Sequence, residues 1–221
     1  MRANVFLFAV LCAGVALPCC ANGGEEAGTV LFKSDFEKDD VGKSAADLGF
    51  VVIGEGDFHV ALDGKNKVLE LAPTPLDTHG FLFGPNESEN VSVQARVFGT
   101  ASGRRFPLFG IGIGGVGGYM LRLQPVRKVL EVLKADQVKK AVPYTWTSNT
   151  WTVLALSVRK AQDGAWVIEG KAWEDGKEEP KEPLLSFADN EKPTAGRAGL
   201  WGIPYSGELI RFDDLLVRKV K

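Results

Sequence analysis

From residue 29 onward the chain is a succession of short runs in which apolar and polar residues alternate, each run closed by Gly, Pro, Asn or Asp. Successive side chains of a β-strand point to opposite faces, so a period of two marks half-buried strands, where a helix would show a period of 3.6. This alternation predicts strands at 29–36, 49–53, 57–62, 67–72, 79–83, 90–98, 106–113, 118–124, 128–134, 137–142, 151–160, 165–174, 184–187, 197–202 and 208–219. Asp63-Gly64, Asp163-Gly164 and Asp175-Gly176 are dipeptides that tolerate the positive φ of tight turns. Helix is limited to at most one turn, Ser44 to Leu48. The charged stretch Glu174 to Pro183 carries two prolines and reads as a solvated loop. With no linker or repeat to divide it, the segment 29–221 is expected to be one all-β, two-sheet antiparallel sandwich.

The first 21 residues read as an export signal. Arg2 provides the positive start, Val5 to Leu17 form an apolar run too short to span a membrane, and Pro18-Cys19-Cys20-Ala21 ends it in small residues. Asn22 to Gly28 form a polar leader, so a secreted or periplasmic location is expected. A lipoprotein anchor on Cys19 or Cys20 is the competing reading, but Pro18 or Cys19 directly before the acceptor makes a poor lipidation signal. All three cysteines, Cys12, Cys19 and Cys20, lie in this segment, so cleavage after Ala21 would leave no disulfide, thiol nucleophile or thiolate metal site. No later stretch approaches the roughly 20 apolar residues of a membrane helix. Twenty-six basic side chains against 28 acidic ones, with no basic cluster, argue against a nucleic-acid partner.

Parity divides the central strands into two faces. Val91, Val93, Ala95 and Val97 oppose Ser92, Gln94, Arg96 and Phe98; Tyr119, Leu121 and Leu123 oppose Arg122 and Gln124; Trp166, Ile168 and Ala172 oppose Glu169, Lys171 and Trp173. One set is core. The other is either a wet sheet face or a ligand groove.

The order of motifs resembles the concanavalin A-like lectin/glucanase superfamily, which includes laminin-G-like domains. The resemblance rests on Leu31-Phe32-Lys33-Ser34-Asp35-Phe36-Glu37, Val91 to Val97, Gly118 to Leu123, Trp151 to Val158, Gly170-Lys171-Ala172-Trp173, Gly199-Leu200-Trp201-Gly202 and Phe212-Asp213-Asp214-Leu215-Leu216-Val217. It implies a jelly roll of two antiparallel sheets, one of them concave, with the chain ends paired as neighbouring strands. It leaves activity open, because one such fold hosts lectins, glycosidases, lyases and non-catalytic modules. The opening, the Trp-bearing strand and the Asp-Asp ending are also similar to exported 3-keto-disaccharide hydrolase domains, but the strand expected of that group is not seen in Phe106 to Gly118.

The glucanase motif E-x-D-x-x-E, which sets two carboxyls about 5 to 5.5 Å apart on one strand, is absent. Glu131 and Glu169 are the weak catalytic candidates, single in their strands, so an acid and base would have to be assembled across strands. Gly110-Ile111-Gly112-Ile113-Gly114-Gly115 matches a dinucleotide fingerprint, but Gly117, Gly118 and Pro125 would break the helix that fingerprint needs, and glycines making room for sheet packing are the better reading. His59 and His79 lack close partners for zinc. Asp35 and Asp213 are the positions that the resemblance offers for a structural calcium ion.

All five tryptophans fall between residues 146 and 201. Sugars present apolar C–H faces to flat rings and hydroxyls to polar side chains. Trp173 and Trp146 are the better candidates for stacking; Trp166 faces the core by parity, and Trp201 and Tyr205 read as a loop edge. The expected function is therefore non-catalytic binding of a carbohydrate or glycan surface by Gln94, Arg96, Arg122, Glu131, Glu169 and Trp173. The alternatives are a glycoside hydrolase or lyase and an envelope scaffold without a small ligand.

Overall fold

The computed structural model describes residues 28–220, so the expected signal segment and most of the leader lie outside the described residues. The strands, in chain order, are β1 (Val30–Ser34), β2 (Val51–Ile53), β3 (Phe58–Asp63), β4 (Asn66–Leu71), β5 (His79–Glu87), β6 (Val91–Gly99), β7 (Leu108–Ile113) and β8 (Tyr119–Gln124). They continue as β9 (Val129–Lys134), β10 (Gln137–Pro143), β11 (Trp151–Lys160), β12 (Trp166–Glu174), β13 (Leu185–Asp189), β14 (Gly196–Ile203) and β15 (Ile210–Lys219). Each falls on a run the alternation marks. The expected helical turn reduces to one Leu48 N–H to Ser44 C=O bond of 3.1 Å.

The first sheet has the order β13-β12-β11-β6-β15-β4-β3, with β1 added on β15; the second runs β10-β9-β8-β7-β14-β5-β2. Every pairing is antiparallel, and the pairing of β1 with β15 brings the two ends of the described chain together. This is the two-sheet antiparallel sandwich that the patterning predicts, with the jelly-roll arrangement that the resemblance implies. Val91, Val93, Ala95 and Val97 of the first sheet and Phe109, Ile111, Leu121 and Leu123 of the second are buried between the sheets.

A phenylalanine cluster fills one half of this core. The Phe81 ring stacks on Phe50 with centroids 5.3 Å apart, and meets Phe58 and Phe212 edge-on at 5.2 and 5.8 Å. These rings come from both sheets, so the cluster ties the two layers together.

The outer face of the first sheet is wet but crowded with ion pairs. Arg96 reaches Asp175 and Asp214, each at 2.8 Å, also binds Asp213, and lies over the Trp151 ring at 5.0 Å. Two adjacent aspartates can serve one arginine because the β15 register against β6 slips between Asp213 and Leu216, with Asp214 at φ 49°. The bulge turns both carboxylates outward.

At the sandwich edge Tyr119 Oη donates to Asp189 Oδ2 at 2.7 Å, and Lys134 Nζ reaches the same oxygen at 3.1 Å. Burial, with the bond to Asp189, pushes the Tyr119 phenol up to about 12. A phenol whose pKa rises on folding adds stability below pH 10, lost as the pH climbs from 10 through 12. Burial alone would raise the Asp189 carboxyl, but bonds from Tyr119, the Glu191 amide and Lys134 outweigh it and hold it below the usual carboxylate range. Its contribution is therefore present above pH 3.8 and lost as the pH falls through the lowered folded value. Urea midpoints measured from pH 2 to 12 are expected to fall at both ends. Asp189→Asn should flatten the acid limb and Tyr119→Phe the alkaline limb; unchanged limbs would show that this cluster does not link pH to stability.

Candidate functional site

The six expected ligand residues do not form one surface. Gln94, Arg96, Glu169 and Trp173 stand on the outer side of the first sheet, whereas Arg122 and Glu131 stand on the outer side of the second. Parity within a strand cannot reveal this, because it sorts residues into in and out without saying which sheet owns the strand. Glu131 and Glu169 thus have the whole core between them, in a sandwich whose sheets pack about 10 Å apart. They cannot flank one glycosidic bond as acid and base.

Several candidates are also committed elsewhere. Arg96 is shared among three carboxylates, as described, and Glu169 takes Arg159 Nη2 at 3.0 Å. Asp213 is 1% exposed and accepts from Asn66 Nδ2 at 2.8 Å, from the Asp214 amide at 2.7 Å and from Arg96. Burial pushes its carboxyl up, which also weakens it as a cation ligand. Asp35 is half-exposed beside Lys33, and among the described residues no group of three or more His, Cys, Asp or Glu is placed to hold a metal ion. The calcium expectation at Asp35 and Asp213 therefore does not fit: Asp213 is a structural acceptor for the β15 bulge.

The second sheet shows why the glycine-rich β7 is as it is. Trp201 lies flat across Gly80, Gly112 and Gly199, and a Cβ at Gly80 or Gly112 would stand 2.7 Å from its ring. Gly110 leaves space for Met120, whose Sδ would be 3.0 Å from a Cβ there. The glycines make room for packing, as expected, but Trp201 is in a strand and 4% exposed, not at a loop edge. Trp146 likewise turns inward, 5.5 Å from Phe109, and is withdrawn as a stacking surface.

Trp173 is placed differently. β13 pairs β12 only as far as Gly170, opposite Leu185, so residues 171–174 leave that edge of β12 without a strand partner. A cavity of about 280 Å³ opens there, lined by Trp173, Tyr144 and the threonines 145, 147, 150 and 152, with Glu174, Lys177 and Glu178 on the loop side. The wall is fixed. The Tyr144 amide donates to Lys128 O at 2.9 Å, Thr150 Oγ1 to Thr147 O at 2.7 Å, the Ala101 amide to Ser148 Oγ at 2.8 Å, and Asn149 sits at φ 61°. The loop after β12 is pinned by Lys177 to Glu174 and Lys171 to Glu179, each at 2.8 Å. Burial, with the nearby charge of Glu174, raises the Tyr144 phenol, which stays a neutral hydroxyl. Tyr144, Thr145 and Thr147 make no side-chain hydrogen bond among the described residues, leaving their hydroxyls for a ligand. Sequence reading found Trp173 by parity but missed the threonines, whose convergence depends on where β13 stops.

The fold defines a class: a concanavalin A-like, galectin-like jelly-roll sandwich. No family model and no curated protein matches the sequence. Among solved structures the chain is similar to a Bacillus subtilis protein of unknown function with a galectin-like fold, at 12% identity and TM-score 0.58, covering 88% of this chain and 97% of that one. It is similar to the carbohydrate binding module CBM66 from Bacillus subtilis, at 12% identity and TM-score 0.53, over 77% and 95% of the two chains. It is also similar to the PL-14 alginate lyase from Aplysia kurodai, at 12% identity and TM-score 0.56, over 86% and 99%. At such identities the likeness shows the fold.

Proposed function

We propose that this chain is an exported, non-catalytic carbohydrate-binding module that seats one sugar of a glycan in the cavity beside Trp173. The observation that carries the reading is a cavity of about 280 Å³ whose lining includes Trp173, Tyr144 and the unpaired hydroxyl residues Thr145 and Thr147. A pyranose presents a C–H face that stacks on an aromatic ring and hydroxyls that polar side chains bond, and this lining supplies both kinds of group. The similarity to CBM66 agrees with this reading. A binding role is favoured over catalysis because Glu131 and Glu169 are kept apart by the core, Glu174 is tied to Lys177, and Glu178 sits on an irregular loop.

The test is a glycan array followed by calorimetry on each hit and product analysis on each bound polysaccharide. Trp173→Ala is expected to weaken binding at least tenfold, about 1.4 kcal/mol or more, with the melting temperature nearly unchanged because the ring is half-buried at a strand end. Unaltered affinity would remove the cavity as the site. Released sugars would replace the binding module with a hydrolase or lyase, and silence across the array would leave the envelope scaffold.

A further inference from the structure

We infer that the glycan bound by this protein is acidic, with Arg122 and Arg127 forming the subsite for its anionic substituent; this rests on the binding role proposed above. Glu131 projects from the outer face of the second sheet yet is 0% exposed, a carboxylate taken out of water on a surface that no further strand or helix covers among the described residues. Such a charge persists only when paired. Its Oε1 accepts from Arg122 Nε at 2.9 Å and from Arg122 Nη2 at 2.8 Å, and Arg127 Nη1 stands 3.5 Å from Oε2. Two guanidiniums therefore converge on one carboxylate, leaving a net positive charge. Arg122 is held by its Nε side, which fixes the orientation of its plane, and it keeps 23% of its side-chain surface exposed. Among the described residues Arg127 makes only the 3.5 Å contact, and it is 58% exposed. This is a charge prepared for a second anion: planar, oriented, and short of one acceptor.

Its place relates it to the cavity. Arg127 lies in the β8–β9 turn, and the next residue in that turn, Lys128, accepts the Tyr144 amide at 2.9 Å, so Arg127 and the Tyr144 wall of the cavity lie at the same end of the sandwich, with Arg122 farther along β8. Glu174 and Glu178 make the cavity itself a poor seat for an anion. The charged group belongs on a neighbouring sugar of the same chain, lying over the turn. A uronate carboxylate and a sulfate ester present the same chemistry to a guanidinium.

Calorimetry at low salt with polygalacturonate against its fully methyl-esterified form, and with dextran sulfate against dextran, tests this. The acidic form of at least one pair is expected to bind about tenfold or more tightly than its neutral form, with the advantage shrinking as salt rises. Tighter polygalacturonate identifies a carboxylate, and tighter dextran sulfate a sulfate ester. Arg127→Ala, at an exposed turn position, should abolish the advantage without lowering the melting temperature. Arg127→Glu should reverse it, while Trp173→Ala should weaken acidic and neutral forms alike. Equal binding of both forms in both pairs, or an advantage that survives Arg127→Ala, overturns the subsite and leaves the cavity reading intact. No binding of any of the four polysaccharides overturns both.

Discussion

Removal of the Arg122 side chain is expected to destabilise the protein by about 3–5 kcal/mol, the usual consequence of stranding a buried charge. Glu131 is fully buried, and without Arg122 it would keep only the 3.5 Å contact with Arg127, itself mostly in solvent. The effect should be asymmetric. Arg122 is 23% exposed, so Glu131→Leu leaves a cation that water can still reach, and its cost should be smaller than that of Arg122→Leu. The double variant Arg122→Leu/Glu131→Leu should recover most of the loss, because two apolar groups replace a pair whose desolvation was already costly. Urea denaturation of the three variants measures the cycle. A loss below about 1 kcal/mol for Arg122→Leu would show that water reaches Glu131, against its burial.

Phe81→Ala is expected to cost a similar amount, about 3–5 kcal/mol, for a different reason. Phe81 is 0% exposed and touches Phe50, Phe58, Phe83 and Phe212, so truncation removes apolar burial, opens a cavity and breaks ring contacts shared by both sheets. A domain of this kind is stable by only about 5–15 kcal/mol, so a loss of this size removes a large share of the total. Phe81→Leu keeps most of the volume and is expected to lose only about 1–1.5 kcal/mol. A melting temperature for Phe81→Leu as low as that for Phe81→Ala would mean that the ring geometry, rather than the filled volume, holds the sheets together.

How legible this was differs between strand and site. The alternation in Val91 to Val97 and in Trp166 to Trp173 fixes which residues face the core, because the pleat leaves a side chain only two directions. The strand at Val51–Ile53 and the extension of β5 to Glu87 were less sharp in the sequence, since their ends are set by partners across the sheet. Arg96 and Arg122 look alike in sequence, an arginine on the polar side of a strand. In the structure one is shared by Asp175, Asp213 and Asp214, and the other is paired with the buried Glu131 on the opposite side of the molecule.

The amino-acid sequence alone therefore settles the all-β class, the positions of the strands, the inward and outward faces, and the packing role of the β7 glycines. These follow from local geometry: a period of two, and turns that need positive φ. Only the tertiary structure decides that Glu131 and Glu169 lie on opposite faces, that Asp213 serves a bulge, that Trp146 packs against the core, and that Trp173 borders a threonine-lined cavity. Those facts depend on strand order and register, which are set by long-range pairing between segments more than a hundred residues apart, such as β4 with β15. No local pattern encodes that pairing.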